Sequence, residues 1–346
     1  MSEIRENCIV ISRSAGLIFT GTNPITPRDA PVQLSVISCA HNEEANISNF
    51  LTACLGSKGS DFDLNEVVVV ASGCTDRTEQ IVAEFQRRTP KVKLVSEPVR
   101  AGKVTALVHG FELVTGDVIV VENADTVPSP DAFDKILACF RDPKVQLVGV
   151  RPVPVGEYRT PAHLIARMMW DLHDFISADS VKIGEAYGLR RETSLQLGNF
   201  EDDDGWLSIL SRSGGITSHY ARDAVIWTRA PETFRDLWSQ RLRIARQAAR
   251  LRRVTGGGPP TWDLTLLVRA LRNYVRCEPR RIPLVAAGVV MESIARVVGW
   301  TYATMKRAPL SVWRPVQSTK RGIPFAPSIG LPDLPPSQTS DVSQRS

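Results

Sequence analysis

The chain lacks most of the patterns that assign chemistry at sight. Its six cysteines, at positions 8, 39, 54, 74, 139 and 277, include no CxxC pair and no metal-ligand spacing. That excludes a zinc module or a disulfide framework and points to a reducing compartment. The five histidines form no HExxH, which removes a zinc hydrolase of that kind. No GxGxxG follows the first predicted strand and no GxxxxGKS/T occurs, so the common dinucleotide and P-loop readings lose their support. The opening thirty residues show no basic region leading into a long apolar run, and the expected location is cytoplasmic.

What is present fits a folded chain. A length of 346 residues allows one large domain or two ordinary ones. With 43% hydrophobic and 23% charged residues, a wholly disordered, collagen-like or many-span membrane protein is excluded. The net charge of +5 is modest but unevenly placed: residues 235–253 hold seven arginines and no lysine, with Asp236 the only acid. Such a helix is either a solvated face or a surface for an anion such as a phosphate, a lipid headgroup or nucleic acid. Its periodicity puts Leu237, Ile244, Ala248 and Leu251 on a buried stripe and Arg243, Arg246, Gln247 and Arg250 nearer the opposite side. Residues 283–305 are apolar but interrupted by Glu292 and Arg296, and fall short of a transmembrane span. They read as a buried or dimer-packing helix, or as one lying on a membrane surface.

Apolar runs alternate with helical periods over the first half. Strands are predicted at residues 33–38, 66–71, 92–95 and 117–121, and helices at 44–55, 77–87 and from Gly102-Lys103 to about Leu113. That alternation predicts an α/β fold with a mostly parallel central sheet flanked by helices. Further helices are expected at 131–140, 162–178 and 206–213, and strands at 145–150, 187–190 and 218–224. The chain divides into a leader (1–30), a main domain (31–255), a helical C-terminal region (256–310) and a Pro/Ser-rich tail (311–346), expected to be flexible or surface-wrapping and without a catalytic part.

In such a sheet a ligand lies beyond the carboxyl ends of the strands, where Asn42, Glu43, Ser72, Asp76, Lys103, Asn123 and Asp125 fall. His41 follows a strand and could line that cleft, whereas His109 reads as an ordinary helix residue. Asn123 and Asp125, one residue apart, can address one hard cation, Asp125 as the stronger ligand; an Asx-rich turn is the competing reading. Lys103 could meet a phosphate or be an exposed helix-start lysine, and Asp76 could meet a base or ribose or cap a helix. The run Glu201-Asp202-Asp203-Asp204 crowds carboxylates that need solvent, a cation or arginines; one aimed at an acceptor hydroxyl could take its proton.

Taken in order, these elements resemble the family 2 glycosyltransferases of GT-A fold. Residues 34–44 look like their opening strand and Asn-Glu motif, and residues 67–78 like their nucleotide-binding strand with its Ser72-Gly73-Cys74-Thr75-Asp76 turn. Ala101-Gly102-Lys103 looks like their Gly-Lys step, and Asn123-Ala124-Asp125-Thr126 occupies their metal-binding Asp-x-Asp position. The acidic run matches their Glu-Asp element, and residues 231–243 their approach to Gln-x-x-Arg-Trp. The match spans residues 33–250 and implies a GT-A-like fold with a helical C-terminal extension.

The resemblance implies inverting transfer of a sugar from a nucleoside diphosphate donor, uridine-based, to a hydroxyl acceptor. Ala40, Asn42, Glu43, Ser72, Asp76, Lys103, Asn123, Ala124, Gln240, Arg241 and Arg243 would hold the donor side, and Asp125 with Asn123 would bind Mg or Mn. Asp204 is the first choice of base, with Asp203 and Asp202 as the other candidates. Asn123 replaces the first Asp of the metal motif and hands part of its role to Glu122 or water; Ser72 stands where many members have Asp. Ile244 stands where processive members have Trp, which favours single addition. The acceptor is open among phosphorylated, lipid-linked and small soluble molecules, and peripheral membrane contact and a homodimer are both compatible with the surface. A noncatalytic nucleotide-sugar binder and a sugar nucleotidyltransferase rank next, although residues 39–44 lack the latter's phosphate-loop glycine. A nucleic-acid module ranks last, since few aromatics accompany the arginines.

Overall fold

The computed structural model describes residues 31–305, apart from 58, 60–61, 157–159 and 197–201, and residues 317–323. Glu201, the leader and most of the tail lie outside the described residues. The main domain begins with three β-α units and a fourth strand: β1 (Val32–Ala40), α1 (Ile47–Gly56), β2 (Phe62–Ser72), α2 (Thr78–Arg88), β3 (Val92–Glu97), α3 (Lys103–Leu113) and β4 (Val118–Glu122). The short β5 (Val127–Pro128) and α4 (Ala132–Cys139) follow, then β6 (Leu147–Val155), α5 (Pro161–Asp179), β7 (Ala186–Arg190), α6 (Asp203–Arg212) and β8 (Ser218–Arg229). The chain continues as α7 (Phe234–Thr255), α8 (Leu264–Cys277) and α9 (Ile282–Met305).

The eight strands form one sheet in the order β3-β2-β1-β4-β7-β6-β8-β5. β1 pairs in parallel with both β2 and β4, β2 with β3, and β6 with β8. β7 runs antiparallel to both its neighbours, which the apolar runs alone do not announce. The period of two along each strand builds two cores at once. Leu34, Val36, Val67, Val69 and Val120 pack against Phe50 of α1 and Phe133 of α4, while Ile37, Val68, Val70 and Ile119 pack against Leu107 of α3 and Leu207 of α6. Strands buried on both faces read as unbroken apolar runs, and this is why the first four are so plain in the sequence.

A third apolar cluster joins α5, α7, α8 and α9 through Ile165, Met168, Leu172, Leu237, Tyr274 and Met291. Two expectations change here. α7 is not a basic helix with one solvated side: Ala245, Ala248 and Ala249 are buried, Arg246 lies 4.1 Å over the ring of Tyr302, and Arg243 faces the interior cavity. α9 is not a core helix either. Nor does this segment fall short of a span as expected: by length and composition it would suffice to cross a membrane, only 22% of its apolar window is buried, and Val290, Ile294, Val297 and Trp300 are exposed. Its interrupting charges are met locally, with Glu292 accepting from Arg241 at 2.8 Å and from Arg296 at 3.0 Å.

Candidate active site

The strand ends of β1, β2 and β4 open into a cavity of about 850 Å³. Ala40, His41, Glu43, Ser72, Lys103, Asn123, Ala124 and Asp125 line it, and so do Asp202, Asp203, Asp204, Gln240, Arg241 and Arg243 from the second half. Asn42 and Asp76, expected there as well, stitch the loops together instead. Asn42 takes a left-handed conformation (φ +55°), which its short polar side chain tolerates, and its Oδ1 accepts from the Thr75 amide at 2.8 Å. Asp76 accepts from the amide of Thr78 at 2.9 Å, the Thr78 hydroxyl at 2.5 Å and the Glu44 amide at 3.1 Å. Although burial acts to raise it, those hydrogen bonds hold the Asp76 carboxyl below its usual range. Ser72 lines the cavity, and its Oγ is buried with no hydrogen-bond partner.

Lys103 is set at the first position of α3 by Gly102, whose φ of +111° admits no ordinary side chain. Its Nζ lies 3.0 Å from Asp203 and 3.4 Å from Asp204. Burial works to lower the Lys103 ammonium, and the two carboxylates more than reverse it. The three acids are not equivalent. Asp202 caps α6 by accepting from the Gly205 amide at 3.2 Å, and Asp203 accepts from the Tyr187 hydroxyl at 2.9 Å and is only 3% exposed. Asp202 and Asp204 are both partly exposed, the Asp204 side chain to 34%; burial and Asp203 push the Asp204 carboxyl well above the usual value, against the pull of Lys103.

A second acidic group lies across the cavity. Asn123 donates from Nδ2 to Glu185 at 2.5 Å, and its amide donates to the Glu185 carbonyl at 3.1 Å. Burial and the charge of Glu185 raise the Asp125 carboxyl to about 7, while Arg243 and a hydrogen bond from Thr319 act against the rise. Two carboxylates that line the same end of the cavity and act on one another form a place that a divalent cation relieves, so the donor set fits Mg or Mn: Asp125 and Glu185 as anionic oxygens and the Asn123 side-chain carbonyl as a neutral one. The oxygens of Asp202, Asp203 and Asp204 also lie within 4.8 Å of one another, but Lys103 already supplies their cation. Glu122, offered by the sequence as a substitute ligand, is absent from the cavity lining; it is 1% exposed, accepts from Thr126 at 2.9 Å, and burial lifts it to about 8.

Arg243 ties the two acidic groups together: burial lowers its guanidinium, and Glu185, Asp202, Asp204 and Asp125 all act to raise it. Arg241 lines the cavity but is held by Glu292. His41 lines it too, its Nδ1 2.8 Å from the Ser72 carbonyl. Sequence reasoning missed Glu185, Lys182, Thr319 and Lys320, all of which line the cavity. Glu185 is found only from the antiparallel β4–β7 register, in which Glu122 faces Ala186. Residues 317–323 dock on the donor end. Lys320 pairs with Glu43 and donates to the His41 carbonyl at 3.2 Å, Arg229 donates to Gly322 at 2.8 Å, and Ile323 is 1% exposed among Val127, Val153 and Trp227. This part of the tail therefore contributes to the cavity wall.

A mostly parallel sheet whose strand ends carry polar loops, a Gly-Lys step and two acidic groups is a GT-A-type domain. Two family models match: Glycosyl transferase family 2 over residues 35–197, and Glycosyl transferase family group 2 over residues 118–308, more than half of the chain. The chain belongs to the family 2 glycosyltransferases. It is 31% identical over 240 residues to the probable glycosyltransferase YdaM of Bacillus subtilis, covering 62% of this chain and 54% of that protein. It is 28% identical over 127 residues to the dolichol-phosphate mannosyltransferase of Pyrococcus furiosus, covering 36% and 35% respectively. The chain thus spans about half, or less, of the length of these curated relatives. Among solved structures, the Pyrobaculum calidifontis mannosyltransferase in complex with GDP-Man and Mn2+ matches with TM-score 0.50 and 22% identity, over 85% of this chain and 84% of that one, a likeness of fold.

Proposed function

We propose that the chain moves a sugar from a nucleoside diphosphate sugar, uridine-based, to an acceptor hydroxyl in a single inverting displacement. The observation that carries this reading is the division of one cavity between an acidic pair suited to a cation, Asp125 and Glu185, and a carboxylate group that holds its own cation, Asp202 to Asp204 with Lys103. Ala40, Glu43, Ser72 and Lys103 would hold the donor. Mg or Mn held by Asp125, Glu185 and Asn123 would offset the charge of the leaving diphosphate. Asp204 is the base of this reading because its side chain is partly exposed and, unlike that of Asp202, does not cap α6, and its raised affinity for a proton suits general-base work. The acceptor O–H proton passes to Asp204, the acceptor oxygen bonds to the sugar's anomeric carbon, and the electron pair of the breaking C–O bond leaves with the nucleoside diphosphate. Lys103 holds Asp203 and Asp204 in place and presents its charge to the same side.

The test is a donor screen of the purified chain against UDP-, GDP- and dTDP-sugars, with and without Mn or Mg, reading nucleotide release and bound donor. The expected result is metal-dependent use of one donor, lost in Asp125→Ala and Asp204→Asn. Failure to bind any of these donors would sink the reading.

A further inference from the structure

The cavity does not end at the carboxylates. Past Asp204 and Lys182 it runs on between α5, α8 and α9, walled by Met169, Leu172, Leu267, Leu271 and Val289. α8 packs chiefly on α5, and α9 chiefly on α7, which leaves the gap between α8 and α9 open. At its mouth Leu264 is 73% exposed, Val268 61% and Val289 40%. The charged side chains along this arm are engaged with one another, two arginines on one carboxylate: Glu292 accepts from Arg241 at 2.8 and 3.0 Å and from Arg296 at 3.0 Å.

We infer that this apolar arm is the acceptor subsite, and that the acceptor is an amphiphile: a hydroxyl-bearing head joined to a linear apolar chain. The inference rests on the sugar-transfer reading above. Its first support is continuity, since a molecule lying in the arm presents its inner end to Asp204. Its second is the chemistry of the walls. Burying apolar surface there is favourable, whereas a sugar-like polar body would leave its hydroxyls without partners. The head follows from the inner end of the arm, where Asp202 and Asp204 stand together. Lys103 and Lys182 offset part of the carboxylate charge there, so the base rather than the charge selects the head: a phosphate needs no base, whereas a hydroxyl needs one.

The test uses the full chain and two glucosides with the same head, n-decyl and methyl β-glucoside, each below its aggregation concentration and titrated by calorimetry. The decyl compound is expected to bind about fifty-fold tighter, the ratio given by burying only about three methylenes. Val268→Asp and Val289→Asp, both at exposed positions of the rim, should reduce that ratio below fivefold. Val297→Asp, on the exposed part of α9 outside the cavity lining, should leave it unchanged. Equal affinity for the two glucosides, or a ratio that ignores the rim variants, would overturn the inference. Tighter binding of decyl phosphate than of decyl glucoside would overturn the hydroxyl head. A parallel titration with UDP and Mn reports the donor site separately, so its failure would count against sugar transfer and leave the chain-length result standing.

Discussion

The two acidic groups of the cavity handle their charge in opposite ways. Asp203 and Asp204 come with a lysine at 3.0 and 3.4 Å, delivered by α3 from a hundred residues away in sequence. Asp125 has Glu185 beside it instead, the Asn123 amide donating to Glu185 and the Thr319 hydroxyl to Asp125, and burial with the Glu185 charge pushes Asp125 to about 7. A carboxylate group with a lysine in contact carries part of its counter-charge in the fold; one without such a contact gains most from an arriving cation. One site can thus be read as two halves with two tasks, and each half can be broken by itself.

The largest effect expected is on the proton-accepting half. Asp204→Asn keeps the shape and removes the base, and steady-state kinetics should show kcat lower by about a thousandfold, about 4 kcal/mol of barrier, with donor affinity retained. Next is the scaffold beneath it. The Glu292 carboxyl is held at about 2 by Arg241 and Arg296, despite the burial that works to raise it. A folded-state value depressed in this way stabilises the protein above the ordinary carboxyl range and loses that contribution as pH falls from about 4.5 toward 2. Glu292→Gln should therefore lower stability by about 3 kcal/mol at neutral pH in urea melts, and the gap to the wild type should close over that acid range.

A smaller effect separates the docked segment from the core. Ile323→Asp should release residues 317–323, seen as new cleavage there in limited proteolysis, while global stability falls by only about 1 kcal/mol, because a local segment opens without the sheet. Least of all is the surface pair Arg77–Glu44, with side chains 75% and 43% exposed. Arg77→Ala should move the urea midpoint by less than about 0.5 kcal/mol in stability. A larger shift would mean that the loop between β1 and α1 carries more of the donor half than its exposure indicates.

The same division governs what could be read from the sequence. The donor half is a row of buried strands, each followed by a polar loop, and both its periodicity and its loop residues are local signals; Lys103, Asn123 and Asp125 were legible for that reason. Even there, Asn42 and Asp76 carry the right letters yet serve the turn, since a side chain that can bond its own loop does so at little cost. Glu185 was invisible because its role depends on the antiparallel placement of β7 beside β4, a pairing between residues far apart in the chain. Lys320 lies 277 positions from the Glu43 it pairs with, and nothing local marks it. The arginines of α7 read as either a solvated face or an anion-facing surface because helical spacing counts one buried stripe, whereas α5, α6 and α9 all pack around this helix.

The most direct measurement is a calorimetric titration of UDP, with and without Mn, into the wild type, Asp125→Ala and Asp204→Asn. The account predicts Mn-dependent binding to the wild type, its loss in Asp125→Ala, and an almost unaltered isotherm in Asp204→Asn. Mn-dependent binding that survives in Asp125→Ala, or vanishes in Asp204→Asn, would contradict the division of the cavity into a cation-recruiting half and a proton-accepting half.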